Sequence, residues 1–136
     1  MTFADFFPTI LDLTGITKQV KPDAQRSGLS LRPLLENPRA HLSREALYFH
    51  YPHYYATTTP AGAIRNGSWK LLEYFEDNHV ELYNLARDPR EQRDLSRENP
   101  RITSRLRDKL HTWRKTVDAQ MPMPNAKWLR EKRSPR

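Results

Sequence analysis

The chain has 136 residues, no cysteine and a net charge of +7 at neutral pH. This length suits one domain of ordinary size, and no apolar run approaches the roughly 18 residues that a membrane-spanning helix requires. The lack of cysteine excludes disulfides, thiolate zinc sites and cysteine nucleophiles in this chain. Residues 1–15 lack the basic start and the small-residue cleavage site of a signal peptide, so we expect neither a membrane span nor a leader here.

The positive charge is concentrated at the C-terminal end. Residues 101–136 contain 11 of the 23 Lys and Arg residues and 3 of the 16 Asp and Glu residues. Their net charge of +8 leaves a net charge of −1 for residues 1–100. Such basicity suggests a polyanion as partner. The main body of the chain, however, is close to neutral.

The first predicted element is an apolar helix over residues 3–16. Asp5 is its predicted N-cap, and Gly15, which tolerates the left-handed conformation, its predicted C-cap. The apolar residues at near-helical spacing are Phe6, Phe7, Ile10, Leu11 and Leu13. The next residues, 17–45, are rich in Pro, Ser, Asn and Arg and predict a long irregular linker between two units.

Residues 46–85 predict an antiparallel meander of three or four strands. Ala46 to Tyr51 is aromatic and aliphatic, and Pro52 ends that strand. Asn66-Gly67, between two strand-like segments, predicts a β-hairpin in which both residues take the positive φ of a type I′ turn. Residues 80–85 alternate between apolar and polar side chains, which predicts the last strand.

An amphipathic helix is predicted over about residues 100–120, with Asn99 as N-cap and Pro100 as first helical residue. One apolar stripe, suited to cover a sheet face, consists of Ile102, Leu106, Leu110, Trp113 and Val117. Residues 122–136 form a polar, basic tail. The predicted fold class is therefore α+β: a small antiparallel sheet packed against a C-terminal amphipathic helix, preceded by an N-terminal helix and a long linker.

His50 and His53 are the candidate binding residues. They flank Pro52 at the end of the first strand, where two imidazoles can converge on a ligand, an oxyanion or a metal ion. No carboxylate lies nearby in sequence as a third metal ligand. A substrate contact and a plain hydrogen-bonded aromatic loop are the two interpretations left open.

No catalytic motif is present: the chain has no G-x-S-x-G, H-E-x-x-H, Walker loop or dinucleotide fingerprint. The acidic residues around the second hairpin are interpreted as solvated and receive no role. The histidines outside the candidate pair are interpreted as surface residues. The acidic residues are Glu73, Glu76, Asp77 and Glu81. The remaining histidines are His41, His79 and His111.

Several segments follow one another in a familiar order and spacing over residues 3–125. They are Asp5–Ile16, Gly28–Leu35, Phe49–Tyr54, Ala63–Leu72, Glu81–Glu91, Asp94–Leu95 and Gln120–Asn125. Together they resemble the C-terminal part of the sulfatase family, of the bacterial carbohydrate-sulfatase type in the alkaline-phosphatase superfamily. The resemblance implies a two-part enzyme, with a large N-terminal catalytic domain and a smaller subdomain of four antiparallel strands packed on a helix.

The resemblance implies that this chain consists of four segments. Residues 1–16 match the last helix of the catalytic domain, 17–45 the linker, 46–121 the C-terminal subdomain and 122–136 the tail. The family's formylglycine arises from a C/S-x-P-x-R motif, which this sequence lacks, and its calcium ligands lie upstream of the matching region. We therefore expect no catalytic residue, no metal ligand and no cofactor in this chain, with calcium and formylglycine in the missing N-terminal domain.

The resemblance also implies a role for the candidate residues. In the family the loop that matches residues 50–54 lies at the active-site rim, so His53 first and His50 second are expected to contact the substrate. The expected partners are the missing N-terminal domain and, in the full-length enzyme, a sulfated carbohydrate, without a membrane. The family is usually periplasmic or secreted.

Two other functions remain open. One is a small basic α+β module that contacts nucleic acid or another polyanion through the C-terminal helix and tail. Its contact residues would be Arg105, Arg107, Lys109, Arg114 and Lys115. They lie on both sides of the apolar stripe, as solvated side chains do, which disfavours this function. The other is a folded remnant with no ligand.

Overall fold

A computed structural model describes residues 2–16 and 28–123 of the chain. It divides into two units, Met1–Glu45 and Ala46–Arg136, and each is described here by itself. Residues 17–27 of the predicted linker and 124–136 of the predicted tail lie outside the described residues. The order of elements, two short helices, four strands and a long helix, confirms the α+β class.

The first unit is built on a nine-residue helix. A 3-10 turn, Phe3–Asp5, leads into α1, Phe6–Thr14, and a five-residue helix, α2, spans Arg32–Glu36. Gly15 ends α1 with a φ of +74°, where its amide donates back to the carbonyl of Asp12, as predicted for the C-cap. Only glycine takes that left-handed conformation without steric cost.

Asp5 occupies the N-cap position of α1, as predicted, but its side chain does not cap that helix. Because the extra 3-10 turn moves the start of the helical segment back to Phe3, the Asp5 side chain makes no capping hydrogen bond to α1. Its carboxylate instead accepts from the amides of Thr2, at 2.6 Å, and Leu29, at 3.0 Å. Asp5 therefore fastens a distant segment to the start of the helix.

The amphipathic pattern of α1 is inverted within its unit. Asp5 is 0% exposed and Thr9 6%, and the Thr9 hydroxyl accepts the amide of Leu31 at 2.9 Å. Asp12 accepts the Ser30 hydroxyl at 2.7 Å. The apolar side chains that are instead about half exposed or more are Phe3, Phe6, Phe7, Ile10 and Leu13. Among the described residues of this unit, Asp5, Thr9 and Leu31 are buried, whereas the apolar face of α1 is exposed.

The second unit contains a four-stranded antiparallel sheet in the order β1-β2-β3-β4. The strands are β1, Leu47–Tyr51; β2, Ala61–Asn66; β3, Trp69–Tyr74; and β4, Val80–Asn84. Each strand pairs with the next in sequence, which confirms the predicted meander and fixes its strand number at four.

The β2–β3 hairpin is confirmed, but its predicted turn is shifted by one residue. Asn66 remains in β2 and pairs with Trp69, so the two-residue loop is Gly67-Ser68. Gly67 has a φ of +58°, whereas neither Asn66 nor Ser68 has a positive φ. Glycine at the first loop position with a single positive φ is the pattern of a type II′ turn, so the predicted type I′ turn is wrong.

The helix α3, Pro100–Thr116, closes the core against β2 and β3. The residues with 0% exposure are Ile64, Leu71, Leu82, Leu106 and Leu110. Trp113 extends this core by stacking on Tyr48, with ring centroids 4.9 Å apart. The predicted stripe is confirmed as far as Trp113, but Val117 lies beyond the helix and is half exposed.

The loop between β4 and α3 covers the outer edge of β4. The amide of Leu95 donates to the Leu82 carbonyl at 2.8 Å, and the Leu82 amide donates to the Asp94 carboxylate at 2.9 Å. Burial raises the pKa of Asp94, but hydrogen bonds from the amides of Leu82 and Ser96 outweigh it and lower that pKa overall. Because these hydrogen bonds occupy the outward backbone groups of Leu82, no further strand can pair with β4 at this residue.

Candidate functional site

His50 lies on the face of the sheet that α3 covers. It is aligned with Gly62 in β2 and, through it, with Glu73 in β3. Its Nε2 lies 2.7 Å from the carbonyl of Gln120, and its ring centroid lies 5.4 Å from that of Phe75. The Nδ1 atom is buried and has no hydrogen-bond partner among the described residues. His50 thus joins the first strand to the segment after α3.

His53 lies in a different environment. It is exposed in the loop after β1, and its ring stands edge-on to that of Tyr51 at 5.7 Å. Because successive strand residues point to opposite faces, Tyr51 lies on the face opposite to His50. The two histidines therefore do not share one ligand position within the second unit. Their predicted contact with a substrate stays a prediction, and His53 is the more accessible of the two.

Exposed aromatic side chains lie close to His53 in sequence. Four of them on β1 and the following loop have exposed fractions of 44–69%: Phe49, Tyr51, Tyr54 and Tyr55. The Tyr54 hydroxyl donates to Glu76 at 2.6 Å, and this hydrogen bond raises the pKa of Tyr54. Exposed aromatic rings with polar edges are typical of binding surfaces.

Glu73 is a residue whose environment the sequence interpretation missed. It is 2% exposed, not solvated, and it lies on the helix-facing side of β3. Its carboxylate accepts from Arg107 Nε at 2.7 Å and from Arg114 Nη1 at 2.6 Å, and His111 Nε2 lies 2.8 Å away. The interpretation of His111 as a plain surface histidine is also wrong. One buried carboxylate thus joins three side chains of α3 to the sheet.

The ionised form of Glu73 is favoured despite its burial. Burial raises its pKa, but the hydrogen bonds from His111, Arg107 and Arg114 together outweigh burial, so the pKa lies below its ordinary value. A periodic signal for this cluster was present in the sequence. Glu73 alternates with Leu71 on the core face of β3, and the three cationic residues follow one another at helical spacings of four and three.

Arg114 is held in place by its surroundings. It is 8% exposed, and its guanidinium carbon lies 4.7 Å from the centre of the Phe75 ring, a cation–π contact. A Cβ at position 62 would collide with Arg114 Nη2, so any larger residue there would force the Arg114 side chain to shift. The Nε and Nη2 atoms of Arg114 are buried without a hydrogen-bond partner among the described residues.

A cavity of about 400 Å³ opens beside this cluster, between α3 and the β3–β4 turn. Its lining is Glu73, Phe75, Asn78, Arg107, His111, Arg114, Lys115, Asp118, Ala119 and Met121. Basic side chains of one helix face therefore border a solvent-open cavity in the second unit.

A second buried carboxylate lies in the first unit. Both Nη atoms of Arg44 donate to Asp5, and these hydrogen bonds hold the pKa of that carboxyl well below its usual range. Arg44 is 39 residues away in sequence, and no local pattern indicates the pairing. Asp5 and Arg44 fasten the end of this unit to its beginning.

Neither calcium nor formylglycine fits the residues described. Within residues 2–16 and 28–123, no group of three or more His, Asp and Glu side chains is arranged to hold a metal ion. The sequence has no C/S-x-P-x-R segment to yield formylglycine. No step through either group is assigned to this chain. Over the same residues, no helix has the length and apolarity to cross a membrane.

Characterised sulfatases are similar to this chain over most of its length. It is 32% identical to the Delta 4,5-hexuronate-2-O-sulfatase of Bacteroides thetaiotaomicron over 69% of the chain and 19% of that protein. It is also 32% identical to arylsulfatase K of Mus musculus over 82% of the chain and 21% of that protein. The chain thus spans about a fifth of the length of the relatives it matches.

Solved structures share the fold. BT4656, in complex with its substrate D-glucosamine-2-N,6-O-disulfate, matches with a TM-score of 0.67 and 29% identity, over 87% of this chain and 24% of that one. BT1596, a 2-O GAG sulfatase, matches with a TM-score of 0.69 and 27% identity, over 85% and 25%. The family model described as N-sulphoglucosamine sulphohydrolase, C-terminal, matches residues 1–116. The chain therefore belongs to the sulfatase family, in the part that forms the C-terminal end of these proteins.

Proposed function

We propose that this chain serves as the C-terminal part of a sulfuric ester hydrolase that removes sulfate from carbohydrates. The match of residues 1–116 to the C-terminal family model carries the proposal. Hexuronate, glucosamine and glycosaminoglycan substrates appear among the similar proteins, which supports a sulfated carbohydrate as the substrate class.

The chemistry belongs to a catalytic domain that precedes this part. The nucleophile motif is absent from the sequence, and the described residues offer no metal-ligand group. Residues 1–16 are then the last helix of that domain and residues 46–121 the C-terminal subdomain. The exposed apolar face of α1 supports this division, because a surface of that kind is normally covered by other protein.

Within this division the loop after β1 contributes to the substrate rim. His53 is exposed beside Tyr51 and close in sequence to two further exposed tyrosines, so it can contact a sugar or its sulfate group. His50 contributes indirectly, since its Nε2 is engaged by Gln120. By itself the chain is inactive.

Polyanion binding through α3 is the weaker alternative. Two of its five cations, Arg107 and Arg114, are hydrogen-bonded to Glu73, and Arg114 is buried. Arg114 is therefore not presented to a nucleic-acid backbone as a solvated cation is.

Two experiments test the proposal. Reading the coding DNA upstream of codon 1 in frame is expected to reveal a C/S-x-P-x-R segment, and stop codons there would contradict the two-part enzyme. Incubation of the chain with a sulfated monosaccharide is expected to release no sulfate. Release that persists after repurification would show that the chain does not depend on a separate catalytic domain.

The rim role has its own test in the amide NMR spectrum of the labelled chain. Addition of D-glucosamine 6-sulfate is expected to shift the amides of residues 49–55, and His53→Ala is expected to reduce the shifts at least threefold. His41→Ala, an exposed histidine of the first unit, is the matched control and should leave them unchanged. Equal shifts in the wild type and H53A would assign the rim to other residues.

A further inference from the structure

The cavity beside Glu73 carries an inference that rests on its own residues and not on the proposed function. We propose that this cavity binds a small oxyanion group, namely the sulfate, phosphate or carboxylate of a ligand. Three basic side chains, Arg107, Arg114 and Lys115, border it against two carboxylates, Glu73 and Asp118. With His111 in addition, the cavity holds an excess of positive charge and of hydrogen-bond donors.

Glu73 by itself cannot balance these cations. It is 2% exposed and already accepts from Arg107 and Arg114 with His111 alongside, so one negative charge faces two guanidinium groups and an imidazole. Two guanidinium groups around one carboxylate attract a further anion, because Arg114 and Glu73 are buried and the low dielectric around them screens the repulsion poorly. The side chains of Arg107 and His111 are 38% and 43% exposed, so an anion can reach them from solvent.

Arg114 supplies the independent observation. Its Nη1 atom is bonded to Glu73, which leaves Nε and Nη2, the parallel donors of the other guanidinium edge, buried without a partner among the described residues. That edge matches two oxygens of a carboxylate, sulfate or phosphate. Buried donors are almost always satisfied in proteins, so this unpaired edge of a residue that borders the cavity calls for an acceptor that the described residues do not supply.

The dimensions and the remaining lining fit a small ligand. A volume of about 400 Å³ lies within the range of small-molecule sites and accommodates an oxyanion attached to one ring. Phe75 and Met121 give an apolar wall, and Asn78 adds an amide. Gly62 and Phe75 fix the position of Arg114 before any ligand arrives, which favours specific binding.

The test is a titration of the full 136-residue chain, labelled with ¹⁵N, with sodium sulfate at an ionic strength held constant by sodium chloride. We expect saturable shifts confined to amides of the cavity lining. Lys115→Gln, an exposed change that spares the fold, and Arg107→Gln are each expected to weaken sulfate binding at least threefold. Arg105→Gln removes the same charge from an exposed position of α3 outside the cavity and should change the affinity less than 1.5-fold.

Further titrations with other ligands identify which kind of oxyanion the cavity binds. Sodium acetate and phosphate compare planar and tetrahedral anions, and D-glucosamine 6-sulfate is compared with unsulfated D-glucosamine. His53→Ala should leave sulfate binding at the cavity intact, so that failure of this inference and failure of the rim proposal are distinguishable. Shifts that grow linearly without saturation, or equal weakening by R105Q and K115Q, would reduce the effect to charge screening and overturn the inference.

Discussion

The two units of this chain differ in the kind of side chain that they bury. In the second unit Leu71 of the sheet meets Leu106 and Leu110 of α3, and all three are fully buried. In the first unit the buried side chains of the 3-10 turn and α1 are Asp5 and Thr9, while Ile10 and Leu13 of α1 are more than half exposed. The second unit has a closed apolar core, and the first is held by charge and hydrogen bonds.

This difference shows that an apolar stripe on a helix does not by itself specify which surface covers it. The stripes of α1 and α3 both recur at helical spacing, yet only α3 has a sheet face to cover within its unit. Because a helix of nine residues is too short to be stable in isolation, the first unit depends on Asp5, Arg44 and the amides they bind. An unsatisfied apolar face of this kind is the physical basis for proposing a preceding domain.

The largest expected effect comes from opening the charged cluster of the second unit. Glu73→Ala leaves two arginines and a histidine without their buried carboxylate and is expected to lower the free energy of unfolding by ~3–5 kcal/mol. Urea denaturation followed by tryptophan fluorescence measures it. Glu76→Ala, the same change at an exposed position, is expected to cost about 0.5 kcal/mol or less, and equal losses would refute the structural role of Glu73.

Paired leucine truncations address the comparison directly. Leu110→Ala is expected to cost ~2–5 kcal/mol because it empties part of a closed core, whereas Leu13→Ala, at 55% exposure, should cost about 0.5 kcal/mol or less. Amide hydrogen exchange of residues within each unit measures both. A large cost for L13A would mean that the apolar face of α1 is covered in the isolated chain, which breaks the comparison.

Acid should weaken the second unit in a defined direction. The pKa values of Glu73 and Asp94 are lowered in the folded state, so their stabilisation is fully present above the unfolded values, about 4.3 and 3.9. It is lost as the pH falls through the folded pKa values. Thermal melts between pH 7 and pH 2 measure this dependence. Glu73→Gln is expected to flatten it, and an unchanged slope would exclude Glu73 as its source.

The smallest effect is expected for a partly exposed ion pair of the sheet. Lys70 Nζ lies 2.6 Å from Glu91 with both side chains about a quarter to a third exposed, and Lys70→Gln should cost less than about 1 kcal/mol. Urea denaturation at low and at high salt measures it. A cost comparable to that of E73A would show that burial does not separate the two ion pairs.

Much of the fold was predictable because its signals are local. Alternation along β3, glycine between β2 and β3, and the stripe from Ile102 to Trp113 each act over a few residues. The turn type was missed because register, and not the Asn66-Gly67 pair, decides which two residues form the loop. The predicted binding residues were located, His50 beneath α3 and His53 in the exposed loop, but their separation onto different faces followed from the strand and not from their spacing.

The sequence by itself determined the four-stranded meander, the helices α1 and α3, the fold class and, through its ordered segments, the sulfatase resemblance, but not the short helix α2 within the linker that was predicted to be irregular. Only the tertiary structure decided which charges are buried. Glu73 meets Arg107, His111 and Arg114 across sequence separations of 34–41 residues, and Asp5 meets Arg44 across 39. An isolated charge is not buried, because its desolvation outweighs any local gain. Such a residue leaves solvent only when chain segments far apart in sequence bring its partners to it.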